Sequence, residues 1–180
     1  MTHDTAVGLG LARRDRQVRG LGWHYLNAAN LPRQAQEVLV EEHLREALVR
    51  LNPSIAAQPD RVDDVLYRLR AIVMTVRDSG LVKANEEFAA WLLGERSMPF
   101  GKNGEHVTIR LLDFDDIEQN QFVVTQQFVI RAGKTEKRAD LVLLVNGIPV
   151  VLIEAKTPVR ASQSWLDGAL QVHDDYERNV

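Results

Sequence analysis

Residues 138–158, RADLVLLVNGIPVVLIEAKTP, constrain the fold most. Two runs of Val, Ile and Leu flank Asn146-Gly147, a dipeptide suited to a two-residue turn, so the segment reads as a β-hairpin apolar on both faces and therefore buried. Burial does not explain the charges at its ends. The first run begins at Asp140 and the second closes in Glu154-Ala155-Lys156. An unpaired charge in such a place is costly, so these positions need a chemical reason.

The rest of the composition narrows that reason. The chain has 180 residues, 45% apolar and 26% charged, which suits one globular domain with a single core. The apolar run Ile148–Ile153 is far too short to span a bilayer, and the N-terminus lacks the ordered regions of a signal peptide, so a cytoplasmic protein without membrane partners is expected. Without cysteine there are no disulfides, thiolate nucleophiles or Cys-based zinc sites, and any metal must be held by carboxylates, carbonyls or histidine. The net charge of −3 does not advertise a nucleic-acid binder. A local basic patch does exist: Arg131, Lys134, Lys137 and Arg138 crowd the approach to Asp140. By itself such a patch is a solvated face.

Residues 1–20, with Arg13, Arg14, Arg16 and Arg19, show no sustained apolar period and read as an N-terminal arm, leaving 21–180 as the domain. Helices are expected from about Pro32 to Leu51, stopped by Asn52-Pro53, from about Pro59 to Val76, and from about Asn85 to Leu93, ended by Gly94. After Gly104 the period changes. HVTIRLLDF, NQFVVTQQFVIR and the hairpin read as strands, and a last helix is expected from about Gln163 to Arg178. Helices, then antiparallel strands, then a helix make an α/β or α+β domain with a mixed, mostly antiparallel sheet flanked by helices.

Residues two apart in a strand share a face, so Glu154 and Lys156 project together. For an arbitrary Glu-X-Lys, a strand-end ion pair suffices. Here the hairpin mate starts with a second carboxylate, and Lys156 is one of five lysines in the chain. Two carboxylates beside a lysine make a site for a hard cation such as Mg²⁺. Parity supplies a test: with a strict two-residue turn, Asp140 pairs with Ile153 and the two acids fall on opposite faces. An odd loop or a bulge is therefore expected, returning Asp140 and Glu154 to one face. The acids would ligate the cation, and Lys156 would orient or help deprotonate a water and steady developing negative charge, which fits phosphodiester hydrolysis. No Gly-X-Ser-X-Gly elbow and no glycine-rich phosphate loop point to acyl or hydride transfer.

Asp140, thirteen intervening residues and Glu154-Ala155-Lys156 resemble the PD-(D/E)xK nuclease core, and the wider text resembles the N-terminal nuclease domain of the restriction (R) subunit of type I restriction-modification enzymes. LGWHYLNAANLPRQAQEVLVEEHLREALVRLNPSI, ANEEFAAWLLGE and LLDFDDIEQNQF carry the resemblance along nearly the whole chain. It implies a restriction-endonuclease-like core and a type I site-specific deoxyribonuclease activity that cleaves double-stranded DNA with Mg²⁺, or Mn²⁺ in its place. It also implies modification and specificity subunits as partners. ATP would belong to motor domains, for which this chain has no Walker A sequence, and the end at DYERNV is expected to mark a fragment of a longer subunit.

The resemblance also implies an acid from the first core helix, for which Glu41, on the flank of the apolar face, is chosen over Glu37 and Glu42. It further implies a Gln and a Tyr four apart on a later helix. Here Gln171 and Tyr176 are five apart, roughly 140° around a regular helix, a departure from the pattern. Gln126 and Gln127 read as polar edge positions or as outer contacts of the site, and His24 as packing between Trp23 and Tyr25. Against the nuclease stands a nuclease-derived module that docks DNA or other subunits without cutting in isolation.

Overall fold

The computed structural model of the chain describes residues 22–154, together with Leu170 and His173. In chain order the elements are β1 (His24–Tyr25), α1 (Glu41–Leu51), α2 (Pro53–Ala56), α3 (Arg61–Met74), α4 (Val76–Ser79), α5 (Leu81–Leu92), β2 (Ser97–Met98), β3 (Val107–Thr108), β4 (Phe122–Ala132), β5 (Thr135–Val145) and β6 (Ile148–Ile153). The expected last helix lies outside the described residues apart from Leu170 and His173. The chain divides into two compact units, Met1–Val40 with Phe122–Val180, and Glu41–Gln121.

The first unit holds a four-stranded sheet in the order β1-β4-β5-β6, antiparallel except for the β1–β4 pair. This is the mixed, mostly antiparallel sheet that the sequence predicts. Val123, Phe128, Ala139, Val142 and Leu144 form its core with Leu31 and Val40. The two-residue β1 was not legible, since a pair of residues carries no period. It is secured by its register on Val123 and Val124 and by the edge-on packing of Trp23 against Phe122, with ring centroids 5.1 Å apart.

The predicted helix from Pro32 begins nine residues later, at Glu41. The intervening segment is occupied with the sheet. Ala35 O accepts from Arg131 N (2.8 Å), Val40 N donates to Gly147 O (2.8 Å), and the Arg33 guanidinium donates to Val129 O (2.9 Å) while lying 3.9 Å from the centre of the Phe128 ring. Backbone groups committed to strand β4 and the hairpin turn are not available for a helical ladder.

The second unit is mainly helical. Leu44, Ala47 and Leu48 of α1, Val65, Leu66 and Leu69 of α3, and Trp91 of α5 are buried, as the apolar periods require. Helix α5 begins at Leu81, four residues before the expectation, and ends as expected on a glycine. Gly94 takes φ +72°, Gly94 N donates to Trp91 O (3.2 Å) and Glu95 N to Ala90 O (2.9 Å), which satisfies the last carbonyls of the helix.

The predicted strand HVTIRLLDF is cut down to Val107–Thr108, paired with β2. Its continuation is claimed by a side chain. Buried Asn52 donates to Arg110 O (2.9 Å) and to Leu48 O (3.0 Å), and accepts from Arg110 N (2.8 Å). An amide thus occupies both backbone groups that a neighbouring strand would use. Among the described residues no helix is long and apolar enough to cross a membrane.

Candidate active site

The hairpin β5–β6 is built as the parity argument demands, by a bulge. Asn146 and Gly147 take φ +52° and +80°, the left-handed pair of a type I′ turn, and Val145 pairs with Ile148 directly across it. Leu144 then pairs with Pro149 but Leu143 with Val151, so Val150 is an extra residue on β6. Proline has no N–H to give to the ladder, which makes its neighbour a natural place for the irregularity. Beyond the bulge the pairs are Val142 with Leu152 and Leu141 with Ile153. Continued one step past the end of β6, the same register would set Asp140 opposite Glu154, and directly opposed residues share a face.

The bulge also corrects an expectation about burial. Leu141, Val142, Leu144 and Val145 are buried, but Val150 and Val151 of the second run are exposed, at 42% and 43%. β6 is the last strand of the sheet order among the described residues, whereas its partner β5 has a strand on either side. Continuous apolar sequence reports two covered faces in β5 and not in β6. Asp140 and Glu154 are both half-buried.

A second irregularity lies on the other side of Asp140. Gln126 pairs with Leu141 and Phe128 with Ala139, which puts Gln127 opposite Asp140. Gln127 has φ +56°, and its side-chain Nε2 lies 3.5 Å from Asp140 Oδ1. Val123 and Phe128, five residues apart on β4, and Ala139 and Val142, three apart on β5, pack in one cluster, although plain alternation would send each pair to opposite faces. A glutamine in a strand gives no sequence signal for this conformation, and the sequence placed Gln127 only as a polar edge or outer contact.

The remaining predicted site residues are dispersed in what the structure says of them. Lys156, Gln171 and Tyr176 lie outside the described residues. Glu41 is the first residue of α1, and both its carboxylate oxygens take hydrogen bonds from the Arg70 guanidinium within the helical unit. Of the basic patch, Arg131 is paired with its cross-strand neighbour Glu136, whose Oε2 accepts from Nη2 at 2.6 Å and from Nε at 3.1 Å. Lys134 and Arg138 are exposed and Lys137 is half-buried. Arg33, which the sequence did not mark, serves the fold. Burial lowers the affinity of its guanidinium for the proton and nearby Glu37 partly offsets this, consistent with a cation spent on backbone carbonyls and an aromatic face.

Among the described residues there is no group of three or more His, Asp or Glu side chains able to enclose a metal ion. The donors that Asp140 and Glu154 could offer are two carboxylates. That number fits a hard cation that keeps water and substrate oxygens in its remaining positions, and does not fit a closed structural zinc.

The chain matches the family described as "Type I restriction enzyme R protein N terminus" over residues 13–180. It is 33% identical over 162 residues to the Type I restriction enzyme HindI endonuclease subunit of Haemophilus influenzae, covering 83% of this chain and 15% of that one. It is 26% identical over 151 residues to a protein of Methanocaldococcus jannaschii carrying the name of the MjaIXP endonuclease subunit of a type I restriction enzyme, with 79% and 14% covered. The chain therefore spans about a seventh of the length of these curated relatives. No solved structure matches it.

Proposed function

The chain belongs to the family of type I restriction enzyme R protein N termini, and from that premise we propose that it carries the endonuclease site of such a subunit, hydrolysing phosphodiester bonds of double-stranded DNA with a divalent cation. One observation carries the reading: the Val150 bulge, which sets Asp140 across from Glu154 where a regular two-residue hairpin would have separated them.

Asp140 and Glu154 would hold the cation, Mg²⁺ or Mn²⁺, through their carboxylates. When bound, the cation supplies Lewis-acid activation of water and neutralises charge at the phosphodiester. Lys156 orients the attacking water and stabilises negative charge on the phosphate as it develops. Lys134, Lys137, Arg138 and, with Glu136 displaced, Arg131 meet phosphates along the duplex, contacts that position DNA without reading its sequence. Supporting roles for Glu41, Gln171 and Tyr176 rest on the family resemblance alone. In the whole subunit, cleavage depends on ATP-driven motor domains outside this chain and on modification and specificity subunits that choose the DNA.

Calorimetric titration of Mn²⁺ into the chain and into its Asp140→Ala variant tests the cation site. Binding is expected in the first and a loss of about tenfold or more in the second; equal affinities would remove the reading. In the assembled enzyme, Asp140→Ala and Lys156→Ala are expected to bind DNA but leave plasmid uncut.

A further inference from the structure

We propose that Gln127 is a positioning residue for Asp140, its side-chain amide fixing the carboxylate for the cation. This rests on the nuclease reading above and adds a residue to it. Three observations converge. The constant β4–β5 register sets Gln127 directly opposite Asp140. The amide Nε2 and Asp140 Oδ1 are 3.5 Å apart, at the long limit of a hydrogen bond, as contacts in unliganded sites commonly are before they tighten.

The backbone is the third. Gln127 has φ +56° near the middle of the 11-residue strand β4. That conformation costs a residue with a Cβ on the order of 1–3 kcal/mol and persists where the surroundings enforce it. Glycine would adopt it freely, and Asn or Asp would be helped by their short polar side chains. Glutamine has neither advantage. What it brings is reach: one methylene more than Asn, ending in an N–H donor on the carboxylate of the facing strand.

An amide suits the task chemically. It orients a carboxylate by donating to it while leaving the negative charge in place for a cation, whereas a lysine or arginine there would compete with the metal for the same charge. Gln127 therefore acts through Asp140 and touches neither metal nor DNA.

The test uses the full chain, Mn²⁺ as probe, and two substitutions. Gln127→Gly keeps the left-handed backbone and removes the amide. Its Mn²⁺ affinity is expected to fall about 10- to 100-fold with a melting temperature equal to or above that of the wild type. Gln127→Met keeps the length of the side chain and removes the donor. Its Mn²⁺ affinity is expected to fall by a similar factor. In the assembled enzyme, Gln127→Gly should lower kcat for DNA cleavage and leave KM for DNA unchanged.

Wild-type Mn²⁺ affinity in Gln127→Gly, with binding lost in Asp140→Ala, would overturn the role of Gln127 and leave the nuclease reading intact. Unchanged affinity in Asp140→Ala as well would remove both. Should Gln127→Gly melt below the wild type, the Mn²⁺ affinity of Gln127→Met decides: a wild-type value overturns the proposal.

Discussion

Glu41, Asp63 and Glu87 of the helical unit each meet an arginine of that unit, Arg70, Arg45 and Arg96, whereas Asp140 of the sheet unit meets the amide of Gln127 where the backbone turns left-handed. In the first region these three acids are matched to cations, pairs worth little individually. In the second, the turns at Gly133 and at Asn146-Gly147 connect the strands, and two departures from regular geometry lie within the strands themselves: Gln127 and the Val150 bulge. These two flank the position of Asp140, one with a side-chain amide near its carboxylate and the other on the facing strand. On the proposed reading, the contrast separates residues that hold the molecule together from residues that aim a site.

Inserting one alanine between Ile153 and Glu154 breaks that contrast most directly. The pairs up to Leu141 and Ile153 stay in place, the alanine takes the position opposite Asp140, and the second acid turns to the other face. Because the paired residues of β6 are left as they are, the insertion is expected to cost stability modestly while abolishing Mn²⁺ binding and lowering DNA cleavage by the assembled enzyme by about 10²-fold or more. Calorimetry and a plasmid assay would read it. Full activity after the insertion would show that the bulge is an ordinary edge-strand feature.

Leu44→Ala probes the other side of the comparison. Leu44 is fully buried on α1, and its truncation is expected to lower the unfolding free energy by about 2–5 kcal/mol through lost burial and a residual cavity, measured by urea denaturation. Val150→Ala, which keeps the bulge at an exposed position, is expected to stay within about 0.5 kcal/mol. Similar losses in the two variants would mean that the hairpin edge is as much part of a core as α1.

Much of this was legible in advance, and the exceptions share a cause. The apolar periods of α1, α3 and α5, the strands β4 to β6, the Asn146-Gly147 turn and the need for a bulge all follow from spacing, because each depends on neighbours a few residues away. What spacing missed depends on partners far along the chain. The stretch from Pro32 to Val40 carries a helical pattern and is instead drawn onto β4 and Gly147 by Arg33, Ala35 and Val40. Ile109 to Phe114 has strand composition, but the Asn52 amide takes the backbone groups of Arg110. Of the site, the facing of Asp140 and Glu154 was reached through parity. Gln127 could not be, since its left-handed backbone is fixed by its surroundings and not by its residue type.

The smallest expected effect concerns how the helical unit uses an acid that no arginine fully claims. The loop after β3 turns on Asp113, whose Oδ1 accepts from Asp116 N (2.9 Å) and Asp115 N (3.0 Å). The hydrogen bond from the Asp116 N–H holds this carboxyl below the usual carboxylate range, opposed by burial and helped by the Asp115 N–H and the Arg110 charge. A carboxyl depressed in the folded state contributes stability that is complete above its unfolded value of about 3.9 and is lost as pH falls through the lower folded value. Asp113→Asn keeps an oxygen that can accept both N–H groups but cannot titrate. The variant is therefore expected to lose a little stability at pH 7 and to show a shallower decline between about pH 4 and pH 2 than the wild type, compared by urea denaturation across that range. Parallel acid limbs in the two proteins would mean that the Asp113 charge does nothing for the loop that its shape does not already do, and the helical unit's acids would then be matched for solubility alone.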